Sequence, residues 1–110
     1  MHVLKAYKLP GALIRFLTEG PRRIDLPDNS SGVGYLEFFH LIDTVEMKLG
    51  RQKLLRISSD VDQYSHILIV WNPSKKMIGY ADIEHQEIGT ISTFEAFMAD
   101  PASYMDNLLN

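Results

Sequence analysis

The chain has 110 residues, no cysteine and a formal net charge of −3. A chain of this length fits one domain, because it buries roughly 65% of the surface that its unfolded form exposes, enough for one hydrophobic core. The lack of cysteine excludes disulfides, thiolate nucleophiles and cysteine-ligated zinc, and it favours a reducing compartment. Since no apolar run is long enough for a signal segment or a bilayer span, we predict one cytoplasmic domain over residues 1–110 with no membrane contact.

The predicted elements begin with a helix from Pro10 to Glu19, whose apolar residues recur at helical spacing. Gly20 and Pro21 end it, and residues 22–32 have the composition of a long loop. The β-branched and aromatic content predicts five strands: Val33–His40, Leu54–Ser58, His66–Trp71, Met77–Glu84 and Ile88–Ile91. Residues 59–63 are predicted to form a loop, and residues 72–76 a turn that joins two strands into a hairpin.

Capping patterns predict three further helices. Asp43 and Glu46 have the spacing of a capping box, which predicts a short helix from Thr44 to Leu49. The capping box at residues 92–95 and the Asp100-Pro101 pair predict the starts of two helices at the C-terminus. The sum is an α+β fold, a mostly antiparallel sheet of about four to six strands with an N-terminal helix and C-terminal helices packed on it.

His85 lies close in sequence to three carboxylates, an association that can bind metal or support acid–base chemistry. However, Asp82 and Glu84 are expected to share one strand face while His85 points away or sits in the turn, and no HExxH spacing is present. The other histidines are scattered and are predicted to be structural: His2, His40 and His66. The sequence therefore predicts a solvated turn at His85, with no catalytic residue, no metal and no cofactor.

Charge is distributed unevenly along the chain. Residues 1–59 hold nine Lys or Arg and six Asp or Glu, a net charge of +3, whereas residues 60–110 hold two Lys or Arg and eight Asp or Glu, a net charge of −6. Such asymmetry indicates a charged partner, unless the two halves interleave in the fold and their charges mix on the surface. The overall negative charge disfavours nucleic acid as that partner.

Four stretches, in chain order, carry a family resemblance: Leu9-Pro10 through Gly20, Gly34 through Glu46, Ile67–Trp71 with Gly79–Glu84, and Ile91–Met98. They resemble the Leu-Pro and Phe-Leu stretch, the strand leading into a short helix, the central hairpin and the closing Ser-Phe-Glu-x-Phe-Leu helix of the SUKH superfamily. The resemblance implies an α+β domain of the six-stranded type, with no catalytic residues to transfer. It also implies the role common among bacterial members, an immunity protein that binds and neutralises a toxin domain, often a nuclease.

The function that these observations favour is a non-enzymatic module that binds a basic partner protein, such as a toxin domain. The acidic residues predicted to contact the partner lie on or beside the predicted hairpin: Asp60, Asp62, Asp82, Glu84 and Glu87. One alternative is a small-ligand-binding or enzymatic domain with a pocket between the sheet and the C-terminal helices. The residues predicted to line that pocket are Tyr64, Trp71, Tyr80, His85 and Tyr104. The other alternative is a homodimer built through exposed strand edges and the apolar stripe of residues 104–109.

Overall fold

A computed structural model describes residues 5–109 of the chain. Its elements follow in the order α1 (Gly11–Glu19), β1 (Arg23–Asp25), β2 (Tyr35–Glu37), a 3-10 helix (Leu41–Asp43), β3 (Val45–Leu49), β4 (Gln52–Val61), β5 (Tyr64–Asn72), β6 (Met77–Asp82), β7 (Glu87–Ser92), α2 (Phe94–Ala99) and α3 (Pro101–Leu109). The larger sheet has five strands in the order β3-β4-β5-β6-β7, and the smaller one pairs β1 with β2. Every neighbouring pair is antiparallel. The predicted α+β fold is confirmed.

Strand β5 lies at the centre of the larger sheet because its side chains are apolar on both faces. Residues 67–71 are all buried. The odd-numbered side chains of this stretch join the larger hydrophobic core, and the even-numbered ones join a smaller cluster whose members all lie on strands β3 to β7. The period of two along a strand therefore divides one apolar run between the two faces of the sheet.

The larger core lies between the sheet and the helices. Helix α1 contributes Leu13 and Leu17, and the C-terminal helices contribute Phe97 and Met105, all of them buried. The indole of Trp71 packs in the same core and donates from Nε1 to the Tyr7 carbonyl oxygen at 2.7 Å. This hydrogen bond ties the segment before α1 to the central strand.

The predicted helix from Thr44 to Leu49 is wrong, because these residues form strand β3. The segment alternates apolar and charged residues, and it pairs with β4 from Val45 opposite Arg56 to Leu49 opposite Gln52. Gly50, with a positive φ of 62°, starts the tight turn between the two strands. A local capping pattern favoured a helix, but pairing with a neighbouring strand overrides such weak local preferences.

Three other predicted boundaries move because of pairing between segments distant in sequence. The predicted loop over residues 22–32 contains β1, which pairs with β2. The predicted strand Val33–His40 is regular only at Tyr35–Glu37, after which Phe38 forms a single bridge to Ser58. The predicted loop over residues 59–63 is shorter, since β4 continues to Val61 through an irregular stretch. Turn-forming residues can lie within strands when a partner strand supplies hydrogen bonds.

The C-terminal helices begin at polar caps, as predicted, with one shift. Thr93 rather than Ser92 is the N-cap of α2, since its Oγ1 accepts a hydrogen bond from the Ala96 amide at 3.2 Å. Asp100 accepts from the Ser103 amide at 3.2 Å in front of Pro101, where α3 begins. Among residues 5–109, no helix has the length and apolar character needed to cross a membrane.

Candidate functional site at the acidic end of the sheet

Two hairpin turns meet at one end of the larger sheet. Residues 62–63 join β4 to β5, and residues 83–86 join β6 to β7. The two turns are neighbours because β5 begins where β6 ends, with Ile67 opposite Asp82. The five acidic residues predicted to contact a partner lie in these turns or at the strand ends beside them: Asp60, Asp62, Asp82, Glu84 and Glu87. We call this part of the molecule the acidic end.

Contacts within the protein hold two of these aspartates in place. Asp60 forms an ion pair with Arg56 at 3.1 Å, on a surface where such pairs contribute little stability. Asp62 accepts a hydrogen bond from the Gly34 amide at 3.0 Å, which ties the turn after β4 to the segment before β2. Glu84 and Glu87 are exposed, so they are well placed to meet a partner.

Asp82 organises the turn between β6 and β7. Its Oδ1 accepts from the backbone amides of Glu84 at 3.1 Å and His85 at 2.9 Å, while its Oδ2 lies 2.8 Å from His85 Nδ1. The prediction that Asp82 and Glu84 share one strand face is wrong, whereas the alternative that His85 sits in the turn is confirmed. Strand β6 ends at Asp82, and the turn brings His85 back to the carboxylate.

The contact between Asp82 and His85 shifts the pKa of both groups. Desolvation acts to raise the pKa of Asp82, but hydrogen bonds from the backbone and the side chain of His85 outweigh it, so the pKa of Asp82 is lowered. The pKa of His85 is raised, first by its hydrogen bond to Asp82 and then by the attraction of that negative charge.

We expect the replacement Asp82→Asn to change how stability depends on pH. The stabilisation contributed by Asp82 is present above the pKa that aspartate has in the unfolded chain. It is lost as pH falls through the lowered pKa of Asp82 in the folded protein. The stabilisation contributed by His85 is present below the pKa that histidine has in the unfolded chain. It is lost as pH rises through the raised pKa of His85 in the folded protein. The free energy of unfolding should therefore differ most between wild type and Asp82→Asn in the mildly acidic range between these two titrations. Parallel pH profiles from denaturant unfolding would contradict the pairing.

His66 completes a cluster that the sequence analysis missed. One ligand atom from each of His66, Asp82 and His85 lies within 4.8 Å of the others, and Glu84 Oε2 lies 4.0 Å from His66 Nδ1. The predicted hairpin contained the signal, because pairing Asn72 with Met77 places His66 opposite residue 83. His40 lies at the start of the 3-10 helix, where its Nδ1 accepts a hydrogen bond from the Ile42 amide at 3.2 Å. His2 lies outside the described residues.

The residues predicted to line a pocket lie in different surroundings. Tyr64 and His85 approach the His66 ring, with centroids 6.5 and 6.0 Å from it. Trp71 is only 1% exposed and belongs to the core. Tyr80 is half-buried and packs against the same core from β6. Tyr104 packs near Phe97, with ring centroids 6.2 Å apart, and lines a cavity between β7 and α3.

Basic side chains gather at the opposite end of the sheet, which we call the basic end. The turn between β3 and β4 and the turn between β5 and β6 lie there, because the strands are antiparallel neighbours. The exposed cations in these turns and the adjoining strand ends are Lys48, Arg51, Lys53, Lys75 and Lys76. Three of them join Lys8 around an open groove of about 450 Å³. The turns at the two ends of the sheet thus carry exposed charge of opposite sign, although Arg56 pairs with Asp60 at the acidic end.

The basic end contains an unfavourable pair, since Lys48 lies directly opposite Lys53 in the β3–β4 ladder. Like charges at directly opposed positions destabilise an antiparallel pair. We expect Lys53→Glu to raise the free energy of unfolding by roughly 0.2–1 kcal/mol in low salt. The gain should shrink in high salt, and Lys76→Glu in the neighbouring turn is the matched control. A loss of stability from Lys53→Glu would contradict the repulsion.

Comparisons with protein-family models, with curated proteins and with solved structures find no match. The site is therefore defined by its own geometry. The larger sheet of this α+β domain presents carboxylates and two histidines at its acidic end, and lysines and an arginine at its basic end.

Proposed function

We propose that this chain is a non-enzymatic protein-binding module that binds a basic partner protein through its acidic end. The observation that carries the proposal is the convergence of five acidic residues in and beside two adjacent hairpin turns, with five exposed cations at the far end of the sheet. Such separation gives the molecule a directional field, which steers a basic surface toward one end and away from the other.

The acidic end also offers apolar surface. Ile83 lies in the turn between β6 and β7 and is 43% exposed, beside the exposed Glu84. Protein interfaces commonly place apolar side chains at the centre with polar and charged groups around them. Ile83 would thus supply contact area while Glu84 and Glu87 supply charge complementarity.

The resemblance to the SUKH superfamily supports the same function and narrows it. It implies an immunity protein, whose partner would be a toxin domain such as a nuclease. A nuclease presents basic side chains where it binds the phosphates of nucleic acid. An acidic end that covers such a surface would block access to the nucleic acid without any catalytic step.

The proposal is tested by capturing proteins from the native host lysate in low and high salt, with three versions of the chain. Wild type should retain a basic protein in low salt, and Glu84→Lys/Glu87→Lys should lose it, with association slowed by roughly tenfold or more. The matched control is Glu19→Lys/Glu95→Lys, which changes net charge equally at exposed positions on the helices. Equal retention by the acidic-end variant and wild type would refute the proposal.

A second candidate function, binding of a small ligand, rests on the cavity between β7 and α3. Its lining residues are Thr90, Ile91, Tyr104, Asn107 and Leu108. A ligand present at 100 times its Kd should raise the free energy of unfolding by about 2.7 kcal/mol, a gain that a thermal-shift screen detects. Loss of that gain in Tyr104→Ala would assign the ligand to this cavity.

The alternative of a homodimer is tested by light scattering on the wild-type chain, which measures the mass of the particle in solution.

A further inference from the structure

We propose that His66, Asp82 and His85 form a binding site for one divalent transition-metal ion at the acidic end. One ligand atom from each residue lies within 4.8 Å of the other two, although the residues come from two different strand ends and a turn. This inference is independent of the proposed protein-binding function.

The donor set fits a transition metal better than magnesium or calcium. Two imidazoles and a carboxylate are typical ligands of Zn²⁺, and imidazole also suits Ni²⁺ and Cu²⁺, whereas Mg²⁺ and Ca²⁺ take oxygen ligands. Metal–ligand bonds of about 2.0–2.2 Å place neighbouring ligands roughly 3.3 Å apart around a tetrahedral ion. Asp82 Oδ2 and His85 Nδ1, at 2.8 Å, are already close to that separation, and the metal ion would replace the proton of their hydrogen bond, which is released to solvent.

The remaining adjustment falls on side chains that have room to move. His66 is 32% exposed at its side chain and lies near the start of β5, so rotation about its side-chain bonds can carry a ring nitrogen inward. Glu84, with Oε2 4.0 Å from His66 Nδ1 and a side chain that is 66% exposed, can supply a fourth ligand. Three protein ligands with water in the fourth position is a common zinc arrangement, so the site does not require Glu84.

The Asp82 carboxylate is oriented for this role by the backbone. Its Oδ1 is held by the amides of Glu84 and His85, which leaves Oδ2 beside His85 Nδ1. Hydrogen bonds of this kind fix the direction of a metal-binding carboxylate and strengthen binding. The surrounding carboxylates at the acidic end add a negative field that concentrates cations.

Isothermal titration of the full chain with ZnCl₂ and NiCl₂ tests the site, with MgCl₂ as a comparison. We expect one Zn²⁺ per chain, displaced by a chelator, and no comparable heat from Mg²⁺. His85→Gln, which changes an exposed turn residue, should weaken Zn²⁺ binding at least about tenfold. His66→Gln should do the same, and circular dichroism verifies that each variant is folded.

The matched controls are Glu87→Gln, a carboxylate beside the cluster, and His40→Gln, a histidine on the 3-10 helix cap. Both should bind Zn²⁺ within about threefold of wild type, since neither supplies a ligand in the proposed site. Wild-type affinity in His85→Gln and His66→Gln would overturn the proposal. So would the absence of saturable Zn²⁺ binding by wild type.

Discussion

Replacing Trp71 with alanine should lower the free energy of unfolding by about 3–5 kcal/mol, because the indole is among the largest fully buried side chains of the core. The change leaves a cavity between β5 and the segment before α1. It also removes the hydrogen-bond donor to the Tyr7 carbonyl oxygen. A buried acceptor that gains no water in place of its donor costs about 1–3 kcal/mol of stability. Denaturant unfolding followed by circular dichroism measures the effect, since Trp71 is the single tryptophan and its fluorescence is lost.

Trp71→Phe is the control that separates packing from hydrogen bonding. Phenylalanine keeps much of the aromatic volume but removes the Nε1 donor, so we expect a smaller loss than for alanine. Small domains have a free energy of unfolding of only about 5–15 kcal/mol, so Trp71→Ala can leave a fraction of the molecules unfolded at room temperature. If Trp71→Ala cost less than about 1 kcal/mol, the position of Trp71 in the core would be wrong.

Replacing Gly79 with alanine should destabilise the larger sheet, because the added methyl group would meet backbone of the neighbouring strand. A Cβ at this position would lie 2.6 Å from the Gly89 carbonyl oxygen on β7. That oxygen belongs to the backbone and cannot rotate away, so β6 and β7 would have to separate where their register already shifts. Overpacking of this kind typically costs about 1–3 kcal/mol, and sometimes more.

Gly11→Ala is the matched control for that substitution. Gly11 is the first residue of α1, and an added Cβ would meet only Arg15 Nη1 at an ordinary 3.5 Å. We expect this variant to gain about 0.4–1 kcal/mol, because alanine restricts the unfolded chain and favours a helix. Thermal unfolding of both variants decides the matter. Equal stability of Gly79→Ala and Gly11→Ala would contradict the close approach of β6 and β7.

The parts of the fold that the sequence predicts best are those whose local pattern and long-range pairing agree. Strand β5 is apolar over five consecutive residues and ends at Asn72, with Pro73 following in the turn, so hairpin and register follow directly. Helix α1 likewise combines an apolar stripe with a glycine stop. Strand β3 was missed because Asp43 and Glu46 mimic a capping box, while the evidence for a strand lies in its pairing with β4. Strand β1 has only three residues and depends wholly on β2.

The sequence predicts the acidic residues of the candidate site but not the contacts among His66, Asp82 and His85. Counting charges by halves of the chain detects the asymmetry, yet the structure sorts charge by the two ends of the sheet. Lys75 and Lys76, from the acidic half, join Lys48 and Lys53 at the basic end. The link between His66 and Asp82 requires the hairpin register. The return of His85 to Asp82 depends on where β6 ends, which sequence patterns place only to within about 2–4 residues.

Amide hydrogen exchange of the chain, alone and with its captured partner, would show which end of the sheet the partner covers. If the acidic end is the binding surface, exchange should slow at residues 62–63 and 83–86, the two turns of that end. Exchange at residues 50–51 and 73–76, in the turns of the basic end, should stay unchanged. Slowed exchange at the basic end or on α3, with none at the acidic end, would contradict binding through the acidic end.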